Sequence, residues 1–225
     1  SKVIGTALYI DDYGYEGMLH CATLRSPRPH VKIRKLNVSR AKAVPGFVRL
    51  ITAKDVPGKN LWPLVIHDYP FLADGEARFH GEAIGLVVAE TQDAARKAAK
   101  LIEIDFEELP SVTDPLKAME KGAPQIYQGE FGSNVYSQYR VRRGDVDKAF
   151  AESDVVVEDV FTTGFQVQAY LETQGMIAFP DSNGGMTIYG SMQCQYYVHD
   201  SVTAALGLAY NKVRIVQRCT GGGFG

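Results

Sequence analysis

The chain has 225 residues, 45% of them hydrophobic and 22% charged, the balance of a globular protein long enough for one large domain or two modest ones and for a core without staples. Its formal net charge of −2 lacks the basic excess of nucleic-acid binders, and no acidic run suggests a solvating tail. The longest apolar run, Ala83–Ala89, is far short of the ~20 residues a membrane-spanning helix needs, so neither nucleic acid nor membrane is expected as a partner.

In chain order, residues 17–24 read as a strand. Leu19, Cys21 and Thr23 share one face and Met18, Ala22 and Leu24 the other, both apolar enough to be covered. Ser26-Pro27-Arg28-Pro29 breaks it, and Val31-Lys32-Ile33-Arg34 alternates as a half-buried strand does. Ser39 is placed to cap a short helix through Val44, which Pro45-Gly46 ends, and residues 47–52 form a further strand. Residues 61–77 have no clear period and contain Pro63 and Pro70, which predicts a long loop. The apolar run within residues 82–90 predicts a strand, and Thr91 then opens a helix. Asp93 sits in its first turn, where the helix dipole favours an acid, and Ala94, Ala95, Ala98 and Leu101 make one apolar stripe. A strand over 102–107 completes a strand–helix–strand stretch, which suggests an α/β unit with a right-handed crossover if the two strands are parallel. Pro110, Pro115 and Pro124, with Gly122, Gly129 and Gly132, mark a connector with a short helix near 115–121. Beyond it, the pattern predicts strands over 135–141, 155–161, 186–193 and 213–217, and helices over 145–152 and 196–208.

The cysteines Cys21, Cys194 and Cys219 are odd in number, widely spaced and without a CxxC pair. That argues against a disulfide framework and against a zinc or iron–sulfur site built by this chain alone, and it fits a reducing, cytoplasmic setting. The opening Ser1-Lys2-Val3-Ile4-Gly5 has neither the charged region nor the apolar core of a signal peptide, and the lack of an initiator methionine leads us to expect chain upstream. The histidines His20, His30, His67, His80 and His199 form no HxH or HExxH pattern, so no protein-ligated metal is expected.

Four segments could carry chemistry. Gly221-Gly222-Gly223-Phe224-Gly225 follows a strand; its glycines allow close approach of a ligand, and its successive N–H groups can form an anion-binding nest, although a plain turn is the commoner origin of such a run. It is neither a P-loop nor a GxGxxG fingerprint. Thr187, Tyr189, Ser191, Gln193 and Gln195 would share one strand face and could meet a polar ligand; a solvent-facing surface is the commoner case. Glu172, among apolar neighbours in Ala169-Tyr170-Leu171-Glu172-Thr173, could act as a base, but capping a helix or pairing with a cation is the commoner role. Asp11-Asp12 could bind a cation and reads better as a turn.

These segments resemble, in order, those of the molybdenum hydroxylases of the xanthine dehydrogenase and aldehyde oxidase type. Gly5-Thr6-Ala7-Leu8-Tyr9-Ile10-Asp11-Asp12 is similar to the G-x-A-x-Y-x-D-D opening of the family's α/β hammerhead domain. Arg25-Ser26-Pro27-Arg28-Pro29-His30-Val31-Lys32-Ile33, Ala43-Val44-Pro45-Gly46-Phe47-Val48 and Ala53-Lys54-Asp55-Val56-Pro57-Gly58 resemble its next parts. Gly81-Glu82-Ala83-Ile84-Gly85-Leu86-Val87-Val88-Ala89 and Tyr170-Leu171-Glu172-Thr173 also match, and Gly221 to Gly225 match the start of the family's GGGFGGK motif. One match alone is weak; the ordered set is specific.

The resemblance implies an α+β fold: an α/β hammerhead domain over residues 1–110, a connector over 111–132, and over 133–225 the N-terminal part of a molybdopterin-binding domain of mixed α/β character. It implies a molybdenum cofactor held through the pterin, which in bacterial relatives often carries a cytosine dinucleotide, with no protein side chain on the metal. By position, Gln193 would hydrogen-bond the metal's apical oxo group, and Gly222, Gly223, Phe224 and Gly225 would offer backbone N–H groups beside the cofactor. The family reaction inserts a water-derived oxygen into a C–H bond of a purine, another N-heterocycle or an aldehyde. Its catalytic glutamate lies in the family's far C-terminal part, so this chain alone is expected to bind the cofactor poorly and to be inactive. Iron–sulfur clusters and FAD are expected on other domains or subunits. Two other readings stand beside this one: a non-catalytic hammerhead used for subunit contacts, and a phosphate-binding domain, against which the lack of a phosphate-site lysine counts.

Overall fold

The structure is a computed structural model that describes residues 1–64, 66–127 and 132–224. Val65, residues 128–131 of the expected connector, and Gly225 of the expected cofactor loop lie outside the described residues. The first part of the chain is built on two antiparallel three-stranded sheets. In one, β5 (Ala83–Ala89) lies between β1 (His20–Arg25) and β3 (Phe47–Thr52). Flanked on both edges and packed beneath α2 (Gln92–Leu101), β5 buries Ile84, Gly85, Val87, Val88 and Ala89, which is why it reads as a continuous apolar run. In the other, β2 (Val31–Asn37) lies between β4 (Glu76–Ala77) and β6 (Glu103–Glu108). The shared core is Leu24, Val31, Ala41, Val44, Ala73, Ala77, Ile84, Val87, Ala98 and Ile102.

The helix at 91 forms as its pattern predicts. The Thr91 hydroxyl accepts the Ala94 N–H at 3.1 Å, and the fully buried Ala95 and Ala98 let α2 lie close on the sheet. Thr91→Ala is expected to cost about 1 kcal/mol, read as a lower urea midpoint at unchanged slope. The strands on either side of α2 belong to different sheets, so no parallel crossover joins them; α2 carries the chain from one sheet to the other. The sequence of β6 suits that transfer. Ile104 and Phe106 turn inward, while Glu103, Glu107 and Glu108 turn out to Arg40, Arg34 and Arg28 at 3.4, 2.9 and 2.8 Å. The Arg34 guanidinium holds the Glu107 carboxyl below its ordinary range.

The structure departs from the sequence pattern at three places. The first strand begins at His20 and is covered on one side: Leu24 is buried, whereas Cys21 and Arg25 are exposed. Ser39 is the first residue of α1 (Ser39–Lys42) and not its cap; Asn37 Oδ1 accepts its N–H at 3.1 Å. The predicted strands over 135–141 and 155–161 do not form, and Val141, Val157 and Phe161 stand exposed. Alternation supplies a strand with a face, but a ladder also needs a partner's backbone edge, and among the described residues no strand pairs with either segment.

After α3 (Pro115–Ala118) and α4 (Val146–Ala151), capped by Asp114 and Asp145, a third sheet is ordered β7 (Met176–Pro180), β8 (Met186–Gly190), β9 (Val213–Gln217). The pair β7–β8 is antiparallel. The pair β8–β9 is parallel, linked through α5 (Gln195–Leu206). β7 was not legible because it is short and ends at Pro180, as suits an edge strand. The two parts of the chain meet where the Gly58 and Lys59 N–H groups donate to the Ala205 and Ala204 carbonyls, at 2.9 and 2.8 Å, on the last turn of α5.

Candidate functional site

Because β8 and β9 run parallel, their C-terminal ends emerge at one edge of the sheet, the place where α/β folds gather ligand-binding loops. Gly190 pairs with Gln217, and the Arg218 N–H donates to the Gly190 carbonyl at 2.9 Å, so residues 191–193 and 218–224 leave the sheet side by side. The strand stops at Gly190, where a side chain would collide with Met192. The expected polar line from Thr187 to Gln195 is therefore broken: Ser191 is buried, and Gln195 opens α5 and donates to Gln217 at 2.9 Å. The Gln217 amide in turn donates to the Met192 carbonyl at 2.8 Å and staples the two emerging segments together.

The structure brings Gln193 against the glycine loop. A methyl group on Gly223 would lie 3.0 Å from Gln193 Cγ and Cδ, and one on Gly222 would lie 2.7 Å from Tyr170 Cγ and 2.9 Å from Phe224 Cε2. The glycines are thus required by close packing on Gln193, Tyr170 and Phe224. The Phe224 ring rests on Tyr170, centroid to centroid 5.5 Å, and Ala169, just before it, adopts a left-handed conformation at φ 49. Among the described residues none accepts a hydrogen bond from the Gly222, Gly223 or Phe224 N–H, whereas the Gly221 N–H is taken by Glu172. Three successive amides thus have no acceptor among the described residues and are open to an acceptor-rich ligand. The Arg218 guanidinium lies 4.3 Å from the Tyr189 ring centroid and 5.2 Å from that of Tyr13, which places a cation at the root of the loop.

Glu172 differs from its expected role: among the described residues it caps no helix and pairs with no cation. Its Oε1 accepts the Ile10 N–H at 3.1 Å, and its Oε2 accepts the Ser191 hydroxyl at 3.0 Å and the Gly221 N–H at 2.5 Å. An acidic residue set among apolar ones was the sequence signal; the partners, far away in the chain, were not legible. Asp11 and Asp12 form the turn that the sequence favoured, with Asp12 Oδ2 accepting the Tyr9 N–H at 2.8 Å. Among the described residues no group of three or more His, Cys, Asp or Glu side chains is placed to hold a metal ion, and no helix is long and apolar enough to cross a membrane.

Comparison with known proteins agrees with this architecture. Residues 4–110 match the family model described as aldehyde oxidase and xanthine dehydrogenase, a/b hammerhead domain, and residues 127–225 match the molybdopterin cofactor-binding domain. The chain is 36% identical to the nicotinate dehydrogenase large molybdopterin subunit of Eubacterium barkeri, over 100% of this chain and 52% of that protein. It is 34% identical to the xanthine dehydrogenase/oxidase of Gallus gallus, over 100% of this chain and 16% of that one. The fold superposes on the aldehyde oxidoreductase of Desulfovibrio gigas with a TM-score of 0.86 and 30% identity, over 98% of this chain and 26% of that one. For the quinoline 2-oxidoreductase of Pseudomonas putida 86 the TM-score is 0.83 and the identity 30%, over 100% of this chain and 29% of that one. The chain thus spans about half the length of one of these relatives and less of the others. With both models matched in series by a chain of the same α+β fold, the protein belongs to the molybdenum hydroxylase family of xanthine dehydrogenase and aldehyde oxidase.

Proposed function

We propose that this chain forms part of the molybdenum-cofactor site of an oxidoreductase that hydroxylates a small N-heterocycle, purine or aldehyde. The observation that carries the reading is the pairing of Gln193 with the 221–224 loop at the end of two parallel strands, with three loop amides lacking a protein acceptor among the described residues. That donor set fits molybdopterin, whose pterin ring and phosphate are rich in acceptors. The Gln193 side-chain amide and the N–H groups of Gly222, Gly223, Phe224 and Gly225 would hold the group. When bound, it supplies the redox chemistry that places a water-derived oxygen on carbon, while the protein supplies position and electrostatics.

This chain's residues fix the donors before any ligand arrives. Gln217 ties the two segments together, Tyr170 and Phe224 brace the loop from beneath, and the glycines leave no side chain between amide and ligand. The proposal includes a division into residues 1–110, 111–132 and 133–225; the first two sheets within residues 20–108 and the third within 176–217 support it. It also includes iron–sulfur and flavin modules on other domains or subunits, and a cytoplasmic location, which three unpaired cysteines favour.

Turnover in 18O-labelled water tests the activity. With nicotinate, xanthine or an aromatic aldehyde as substrate, the matured full-length enzyme that contains this chain is expected to place the label in the hydroxylated product, whereas the 225-residue chain alone is expected to give no turnover. Product whose oxygen derives from dioxygen would contradict the reading, as would no turnover by cofactor-loaded protein across these three classes.

A further inference from the structure

We infer that Glu172 is the positioning residue of the cofactor loop, an inference that rests on the reading of that loop given above. Its carboxylate gathers three chain segments that the sequence keeps far apart. Oε1 takes the N–H of Ile10, at 3.1 Å, from the opening of the chain; Oε2 takes the Ser191 hydroxyl at 3.0 Å, two residues before Gln193, and the Gly221 N–H at 2.5 Å, the first amide of the glycine run. Both sides of the proposed site, the Gln193 segment and the glycine loop, are therefore held by one oxygen atom. The approach at Gly221 is so close that a side chain there would overlap Glu172 Cβ. Ile10 is itself buried and packs on Gly175, where an added methyl group would stand 3.0 Å from Ile10 Cγ2, so the anchor is a packed part of the molecule and not a mobile end.

Three neutral donors converge on one negative charge, and hydrogen bonds of that kind are about twice as strong as neutral ones. A carboxylate is also the smallest group with acceptors on both sides. In Glu172→Gln one oxygen becomes an NH2 that confronts either the Ile10 or the Gly221 N–H, donor against donor. By saturating the Gly221 amide, Glu172 directs that peptide inward and leaves the next three amides to the ligand. It acts through the loop, by its bonds to Ile10, Ser191 and Gly221.

The test compares the matured full-length enzyme with its Glu172→Gln, Glu172→Ala and Ser191→Ala variants by hydrogen–deuterium exchange of the 218–224 and 9–13 segments and by molybdenum content per folded polypeptide. Exchange in these two segments is expected to rise at least about tenfold in Glu172→Ala, less in Glu172→Gln and least in Ser191→Ala, with exchange across β5 and α2 unchanged. Molybdenum content is expected to fall in the same order. A residue with a merely structural role would raise exchange throughout and leave the metal content of the folded fraction unchanged, and that pattern would overturn the inference, as would unaltered exchange over 218–224. If Glu172→Ala does not fold, Glu172→Gln carries the same comparison. Parent protein that holds no molybdenum would sink the cofactor reading, while the exchange data would still decide whether Glu172 holds the loop.

Discussion

Gly222→Ala is expected to lower the molybdenum content of the matured full-length enzyme by at least about tenfold while leaving its thermal midpoint within a few degrees of the unsubstituted protein. The added methyl group would stand 2.7 Å from Tyr170 Cγ and 2.9 Å from Tyr170 Cβ and Phe224 Cε2. These are atoms near the root of one ring and on the face of another, so the clash is not relieved by swinging a flexible side chain. The loop must lift instead, and the amides of residues 222–224 turn with it. Each charge-assisted hydrogen bond lost to a bound anion is worth about 1.5–3 kcal/mol, or roughly tenfold and more in affinity. Folding suffers less, because the loop lies outside the buried core formed by Ile188, Met192 and Val213 in this part of the chain. Metal and pterin analysis of the folded variant decides the matter; parent-like loading would show that the loop amides are not the cradle.

Gly58→Ala is expected to be the most destabilising single methyl group at the join between the two parts of the chain, at a cost on the order of 3 kcal/mol, the upper part of the range for overpacking. Its Cβ would overlap the Ala204 carbonyl oxygen and stand 2.5 Å from the Gly207 nitrogen, both backbone atoms that no rotamer change can move. The same approach is what lets the Gly58 and Lys59 N–H groups satisfy the Ala205 and Ala204 carbonyls, which α5 leaves open at its end. Chemical denaturation should show a lower midpoint, and exchange at the end of α5 should accelerate. An unchanged midpoint would mean that the residue 58 segment lifts off α5 at no cost and that this join does not hold the two parts together.

Legibility in the sequence followed the range of the interactions. The β5–α2 pair was readable because both its signals are local: an apolar run, then Thr91 as a cap and an alanine stripe. The allocation of β5 and β6 to separate sheets was not, because strand pairing is decided by partners elsewhere in the chain. Residues 135–141 and 155–161 show the limit from the other side, since they alternate as strands do yet find no partner edge among the described residues. At the site, Gln193 and the glycine loop stood out through the resemblance, whereas the bare residues left a plain turn and a solvent-facing strand as the commoner readings. What joins them, Glu172 reaching Ile10, Ser191 and Gly221, depends on contacts that span up to 162 positions in the chain, and no spacing rule encodes those. Tyr170 was legible only as part of a motif, and its place beneath Gly222 emerged from the fold.

The most direct test is metal and pterin analysis of the full-length enzyme that contains this chain, purified from a host that makes the cofactor, beside the 225-residue chain. Molybdenum near one atom per full-length polypeptide is expected, with a matching amount of pterin, both lost when the loop is altered at Gly222 and both absent from the 225-residue chain alone. A properly matured, folded protein that contains neither molybdenum nor pterin would contradict it and would favour the hammerhead as a module for subunit contacts.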